Sequence, residues 1–257
     1  MGLVDYDFTT IMQTKHSNKQ LFSVEHVKCL MTKLLLKVVQ HLHDHHVMHR
    51  DLKTSNILLS NKGVLKVADF GMVREYEFHP QQYTPAVVTR WYREPEILLL
   101  VKEYSSPVDI WSIDCIFAEL IKLRPLFPDN LLITLRPLFL GNSKCDQIFR
   151  IFEGLGTPTD TTWPGYSELP VGKITFKNHP TGRLRETMNN RLSDDGLSLL
   201  QDFLLYDQAA RVTADAALNH PYFEEEPVAM EPAMFLPSLW AEYVEQNSNS
   251  DTGEDTQ

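Results

Sequence analysis

The run His49-Arg50-Asp51-Leu52-Lys53-Thr54-Ser55-Asn56 sets a carboxylate, an amine and an amide close together, and Asp69-Phe70-Gly71 adds a second carboxylate. Such a set suits transfer of a phosphoryl group, which depends on positioning and charge neutralisation more than on covalent chemistry. Asp51 can orient a substrate hydroxyl and take its proton. Lys53 can neutralise charge on the moving group. Asn56 and Asp69 offer hard oxygen ligands suited to Mg²⁺. Taken singly, each is an ordinary solvated loop residue; the ordered set carries the inference.

Those residues need elements to hold them. Val27, Leu30, Met31, Leu34, Leu35, Val38 and Leu42 recur at helical steps and predict an amphipathic helix from about Ser23 to His43, with Ser23 as its cap. Ile57-Leu58-Leu59 and Val64-Leu65-Lys66-Val67 flank Asn61-Lys62-Gly63, which predicts a hairpin between Asn56 and Asp69. Residues 75–90 read as a long loop. Ser106 as cap and Pro107 at the first position open a helix over about 107–122, apolar nearly all round and therefore central and buried. Residues 157–190 read as an extended surface excursion, and helical patterns resume near Ser193–Leu205 and Ala214–Leu218. Leu123-Arg-Pro-Leu-Phe127 returns as Leu135-Arg-Pro-Leu-Phe139, a local duplication that lengthens one loop. Beyond about Pro227 the chain is Pro-rich, then acidic, and is expected to be disordered.

Composition narrows the classes. Apolar residues at 43% and charged residues at 23% fit a globular protein. A net charge of −10 disfavours a nucleic-acid partner. No segment has the apolar length of a membrane span, and no signal peptide is recognisable at the start. Cys29, Cys115 and Cys145 are odd in number and unclustered, pointing to a reducing, intracellular setting and away from zinc. His41, His43, His45, His46 and His49 crowd one stretch; the i,i+4 pair His41/His45 matches a metal pair, but a helix end whose dipole favours imidazoles is the simpler account.

Tyr83-Thr84-Pro85-Ala86-Val87-Val88-Thr89-Arg90-Trp91-Tyr92-Arg93-Glu94-Pro95-Glu96 resembles the activation segment and closing motif of eukaryotic Ser/Thr protein kinases. Asp109-Ile-Trp-Ser112 resembles the start of their central helix, and Trp163-Pro164-Gly165-Tyr166 the insert of the cyclin-dependent branch. The Lys-Thr-Ser-Asn and Tyr-Thr-Pro spellings are most similar to the PITSLRE subgroup. The resemblance spans about residues 3–225. It implies a mainly α fold, a kinase large lobe over 1–225 with an insert at about 141–190, a short β-hairpin at the catalytic loop, and a tail over 226–257. It implies ATP and Mg²⁺, protein substrates at Ser/Thr-Pro, a cyclin partner, and a nuclear or cytoplasmic setting. By position, Asp51 is the implied base, Lys53 its phosphate-facing partner, and Thr89 a hydrogen-bonding member of that group. Asn56 and Asp69 hold magnesium, while Val4, Asp7 and Leu58 meet the nucleotide. Thr84 is the implied phosphorylation site, with Arg50 and Arg74 to receive the phosphate. Glu96 is expected to pair with Arg211, and Asp109 to accept backbone hydrogen bonds from the catalytic loop.

The same comparison exposes departures. The sequence reads as beginning at the hinge, without the β-rich N-terminal lobe, its Gly-rich loop and lysine, or the main cyclin-docking helix. Glu94 stands where the family has Ala, Arg90 where it has Leu, and Asp114 where it has Gly. A carboxylate at 114 in an apolar helix is expected to weaken the fold. Two readings follow: a cyclin-dependent-type kinase represented by its large lobe, or an inert kinase fragment acting as a binding module.

Overall fold

In the computed structural model the residues described are 6–60, 64–76, 91–99, 101, 104–127, 143–169, 176–188, 191–235 and 237. The element order is β1 (Tyr6–Asp7), α1 (Phe8–Ser17), α2 (Val24–Cys29), a π-helical stretch (Leu30–Leu36), α3 (Lys37–Asp44) and β2 (Val47–Met48). Next come β3 (Ile57–Leu59), β4 (Leu65–Val67), β5 (Arg74–Glu75), α4 (Pro95–Leu98) and α5 (Pro107–Lys122). Then follow α6 (Ser143–Leu155), α7 (Leu184–Thr187), α8 (Asp194–Phe203) and α9 (Ala214–Leu218). Helices dominate the described residues, with short strands gathered around the catalytic loop.

Helix α5 is the axis. Every residue from Val108 to Ile121 is buried, as an all-round apolar pattern requires, and α2, the π stretch and α8 pack on it. Pro107 takes the first helical position, where a missing N–H leaves nothing unsatisfied. Ser106 does not cap it with its side chain, contrary to expectation. Its backbone is already helical, so its hydroxyl has no approach to the N–H groups of the first turn.

The helix expected near Ser23–His43 runs as α2, the π stretch and α3, and Ser23 Oγ caps it from the His26 N–H at 3.3 Å. The side chains of Leu34 and Leu35 lie outside the described residues. Strands β3 and β4 form the expected hairpin, with Ile57 opposite Val67 and Leu59 opposite Leu65. Its turn, 61–63, is outside the described residues, as are the second copy of the duplicated segment and the loop over 77–90.

Three elements depart from expectation. Helix α1 follows directly on Asp7, whose carboxylate caps the Thr10 N–H at 2.9 Å. Helix α6 occupies the front of the segment read as an insert, burying Gln147, Ile148, Ile151 and Phe152. Part of the expected tail is packed. Phe235 is fully buried against Phe8 and His26, at 6.4 and 5.5 Å between ring centroids, because its aromatic area is worth more inside than in water. The excursion itself is anchored by Trp163, stacked on Tyr206 at 5.5 Å.

Candidate active site

The catalytic loop hangs from the first turn of α5. Asp109 is fully buried, and its two oxygens accept the backbone N–H groups of His49 at 2.8 Å and Arg50 at 2.7 Å. His43 adds a third contact from its Nε2, 3.1 Å from Asp109 Oδ2. These bonds hold Arg50 at φ 69, a left-handed conformation that a non-glycine residue keeps only when its surroundings impose it. His49 lies 3.0 Å from the Ala68 carbonyl through Nε2 and packs edge-on against Phe70 at 5.2 Å. The loop and the Asp69 segment are thereby tied together.

Within that frame, three of the predicted residues touch. Lys53 Nζ donates to Asp51 Oδ2 at 2.7 Å. Asn56 Nδ2 donates to the Asp51 carbonyl at 2.8 Å and to Asp51 Oδ2 at 3.1 Å. Asp51 is therefore held in one orientation by two donors. Asp69 reaches the same region through the hairpin, since Ala68 N donates to the Asn56 carbonyl at 2.8 Å. Asp69 sits at φ 64 with an exposed carboxylate, whose one bond among the described residues is a long one (3.4 Å) from the Gly71 N–H. Both bonds that the Asn56 side chain makes among the described residues use its nitrogen, which leaves the amide oxygen for another partner. Two uncommitted hard oxygens on adjoining strand ends fit a small divalent cation.

The nucleotide-facing residues are partly visible. Asp7 and Leu58 lie directly opposite each other in the β1–β3 pair. Asp7 has a second duty that sequence reasoning missed: its two oxygens accept the Thr10 N–H and the Thr10 hydroxyl at 2.9 and 2.7 Å. An Asp followed three residues later by Thr, at the head of a helical stretch, was the available signal. Val4, Thr84 and Thr89 lie outside the described residues.

Of the two arginines assigned to phosphate, Arg50 donates to the Tyr104 hydroxyl at 2.6 Å and to the Met72 carbonyl at 3.4 Å. Arg74 is exposed on β5, opposite Met48, and donates to the Val73 carbonyl at 2.7 Å. Tyr104 was not singled out from sequence. Thr54 was also missed: a hydroxyl relay runs from Thr9 through Thr54 and Tyr92 to Glu119. It joins α1, the catalytic loop and α5, and no motif signals it because its members are far apart in the chain.

Beneath the loop lies a buried ionic cluster. Arg211 grips Glu96 with both guanidinium nitrogens, at 2.8 and 3.1 Å, and also meets the carbonyls of Leu205 and Pro107. Asp114 is fully buried with no hydrogen-bond partner on either oxygen among the described residues, and burial pushes its carboxyl well above the usual range. Burial and the nearby Glu96 raise Glu94 to about 8, and burial raises Glu119 to about 7. The histidines find structural partners too: His45 Nδ1 is 2.7 Å from the His41 carbonyl. No group of three or more candidate metal ligands occurs among the described residues. No helix among them is long and apolar enough to cross a membrane.

Comparison with known proteins agrees with this geometry. The protein kinase domain model matches residues 4–223. Human "Cyclin-dependent kinase 11A" is 49% identical over 236 residues, covering 91% of this chain and 28% of the relative. "Serine/threonine-protein kinase PITSLRE" of Drosophila melanogaster is 47% identical over 241 residues, covering 91% and 24%. "Cyclin-dependent kinase G-2" of Oryza sativa subsp. indica is 44% identical over 235 residues, covering 89% and 31%. The chain thus spans about a quarter to a third of the length of these relatives. With the loop, hairpin and central helix arranged as described, the chain belongs to the protein kinase family, in its PITSLRE-like cyclin-dependent branch.

Proposed function

We propose that this chain is the large lobe of a cyclin-dependent-type Ser/Thr protein kinase, acting inside the cell on hydroxyls of Ser/Thr-Pro sequences. The observation that carries the reading is Asp51, held by Lys53 and Asn56 on a loop fixed by Asp109. Asp51 accepts the proton of the incoming hydroxyl, and Lys53 offsets charge on the phosphoryl group. Asn56 and Asp69 hold Mg²⁺, which neutralises phosphate charge when bound. Leu58 and Asp7 face adenine and ribose, with Val4 at the hinge. Thr89 joins the catalytic group through its hydroxyl. Phosphorylation of Thr84 would bring a dianion to Arg50 and Arg74, whose forks match phosphate oxygens. A cyclin completes the assembly, by resemblance.

A second reading is a binding module without turnover. Asp114, buried in the central helix without a hydrogen-bond partner among the described residues, favours it, because it signals a fold under relaxed demands. Phosphorylation of a Ser-Pro peptide separates the two. The large-lobe reading predicts activity when the chain is fused behind a related kinase's small lobe, and its loss in Asp51→Asn. An inactive but folded fusion would leave the binding reading.

A further inference from the structure

Away from the catalytic loop, the ends of α1 and α5 and the segment between α7 and α8 flank an open cavity of about 920 Å³. His16, Lys19, Lys122, Arg124, Thr187 and Arg191 line it, and among the described residues no carboxylate does. This is a concentrated positive surface on a chain whose net charge is −10. Helix ends explain part of it, since cations favour the negative pole of a helix, and His16 and Lys122 lie in last turns. They do not explain Arg124, beyond the end of α5, or Arg191, brought in from a different part of the chain. Among the described residues, neither of these arginines nor Lys19 has a carboxylate partner. The repulsion is felt locally: burial, then Arg124, then Arg191 push the Lys122 amine below its usual range.

Several cations facing one another with nothing negative between them cost stability unless an anion joins them. Arg191 is fixed in place by its bond from Nη1 to the Ile121 carbonyl at 3.2 Å, which leaves its remaining N–H groups for a ligand. Two guanidinium forks with lysines beside them suit the three oxygens of a phosphate monoester better than a single carboxylate. The volume exceeds what a bare ion needs, and Leu21, exposed, and Leu123 supply an apolar wall for residues flanking the phosphate.

We propose that this cavity binds a phosphorylated serine or threonine within a segment of a partner protein. The proposal extends the kinase reading, because it gives the lobe a second contact with proteins already phosphorylated. It involves no catalytic step.

The test uses the full chain and a fluorescein-labelled pSer-Pro peptide, with the unphosphorylated peptide and a Glu-for-pSer peptide as comparisons. Fluorescence polarisation at low salt should show the phosphopeptide binding about tenfold or more tighter than either comparison. Inorganic phosphate should compete. The Lys19→Glu/Arg124→Glu variant, changed at exposed positions and verified as folded by circular dichroism, should lose at least about tenfold in affinity. Neither altered position belongs to the catalytic loop, so loss of binding in the folded double variant separates this proposal from the catalytic one. Equal affinity for phosphorylated and unphosphorylated peptides, no binding at all, or unchanged binding by the folded double variant would each overturn it.

Discussion

Asp109 holds the main-chain N–H groups of both His49 and Arg50, so the loop carrying Asp51 is fastened to the buried start of α5. An amide in place of that carboxylate can accept weakly, but it turns an N–H₂ group toward a donor. Asp109→Asn should therefore cost about 3 kcal/mol, from two weakened charge-assisted bonds and one buried mismatch. Guanidinium denaturation measures it. A loss within experimental error would mean that the loop is held elsewhere.

Asp114 should behave in the opposite way. Its carboxyl is fully buried without a hydrogen-bond partner among the described residues, and burial raises it well above its ordinary range. Asp114→Gly removes a desolvated polar group at the expense of about 1 kcal/mol of helix propensity. The net expectation is a gain of about 1–2 kcal/mol, read as a higher denaturation midpoint. An unchanged or lower midpoint would contradict the assignment of Asp114 as a fault in the helix.

Stability should also fall as pH rises through neutrality. Glu94 is raised to about 8, Glu119 to about 7, and Asp114 well above its ordinary range. In the unfolded chain these groups titrate near pH 4, as a rough figure. Between those values the folded state holds protons that the unfolded state releases, so folding is favoured at the acidic end. The contribution is full below the unfolded values and is lost as pH passes through about 7 to 8. Denaturation midpoints measured across this interval should decline, and Glu94→Gln should flatten the decline. A midpoint that rises with pH would refute the sign.

Arg211 makes a two-nitrogen contact with Glu96 and, together with Arg93, favours the charged form of the neighbouring Glu94. Arg211→Met should cost about 3–5 kcal/mol, because it strands the buried Glu96 charge rather than deleting the pair. Arg211→Met combined with Glu96→Leu should recover much of that loss. A double variant as unstable as the single would show that Arg211 acts through its carbonyl contacts instead.

The parts of the fold visible in the sequence are those with strong local signals. Helix α5 combined Pro at its first position with a pattern apolar nearly all round, and its bounds came out as expected. The hairpin alternated β-branched and aliphatic residues around a glycine turn, and Glu96–Arg211 followed from motif position. Helix α1 escaped notice because its buried face carries just two apolar residues, Phe8 and Met12, beside Lys15, so its stability comes from packing rather than from periodicity. Helix α6 was hidden by the polar residues at its start. Phe235 lay within a Pro-rich stretch where a single aromatic gives no period, and its pocket is built by α1 and α2 far away in sequence. At the site, Asp51, Lys53 and Asn56 were legible as a motif. The relay through Thr54, Tyr92 and Glu119 exists only in three dimensions.

The central claim is that this lobe holds a competent catalytic loop. Phosphate transfer to a Ser-Pro peptide, by the chain fused behind a related kinase's small lobe, tests it most directly. The account predicts measurable transfer that depends on Mg²⁺ and falls by a factor of at least about a hundred in Asp51→Asn. A folded fusion with no transfer, or one whose activity survives Asp51→Asn, would contradict it.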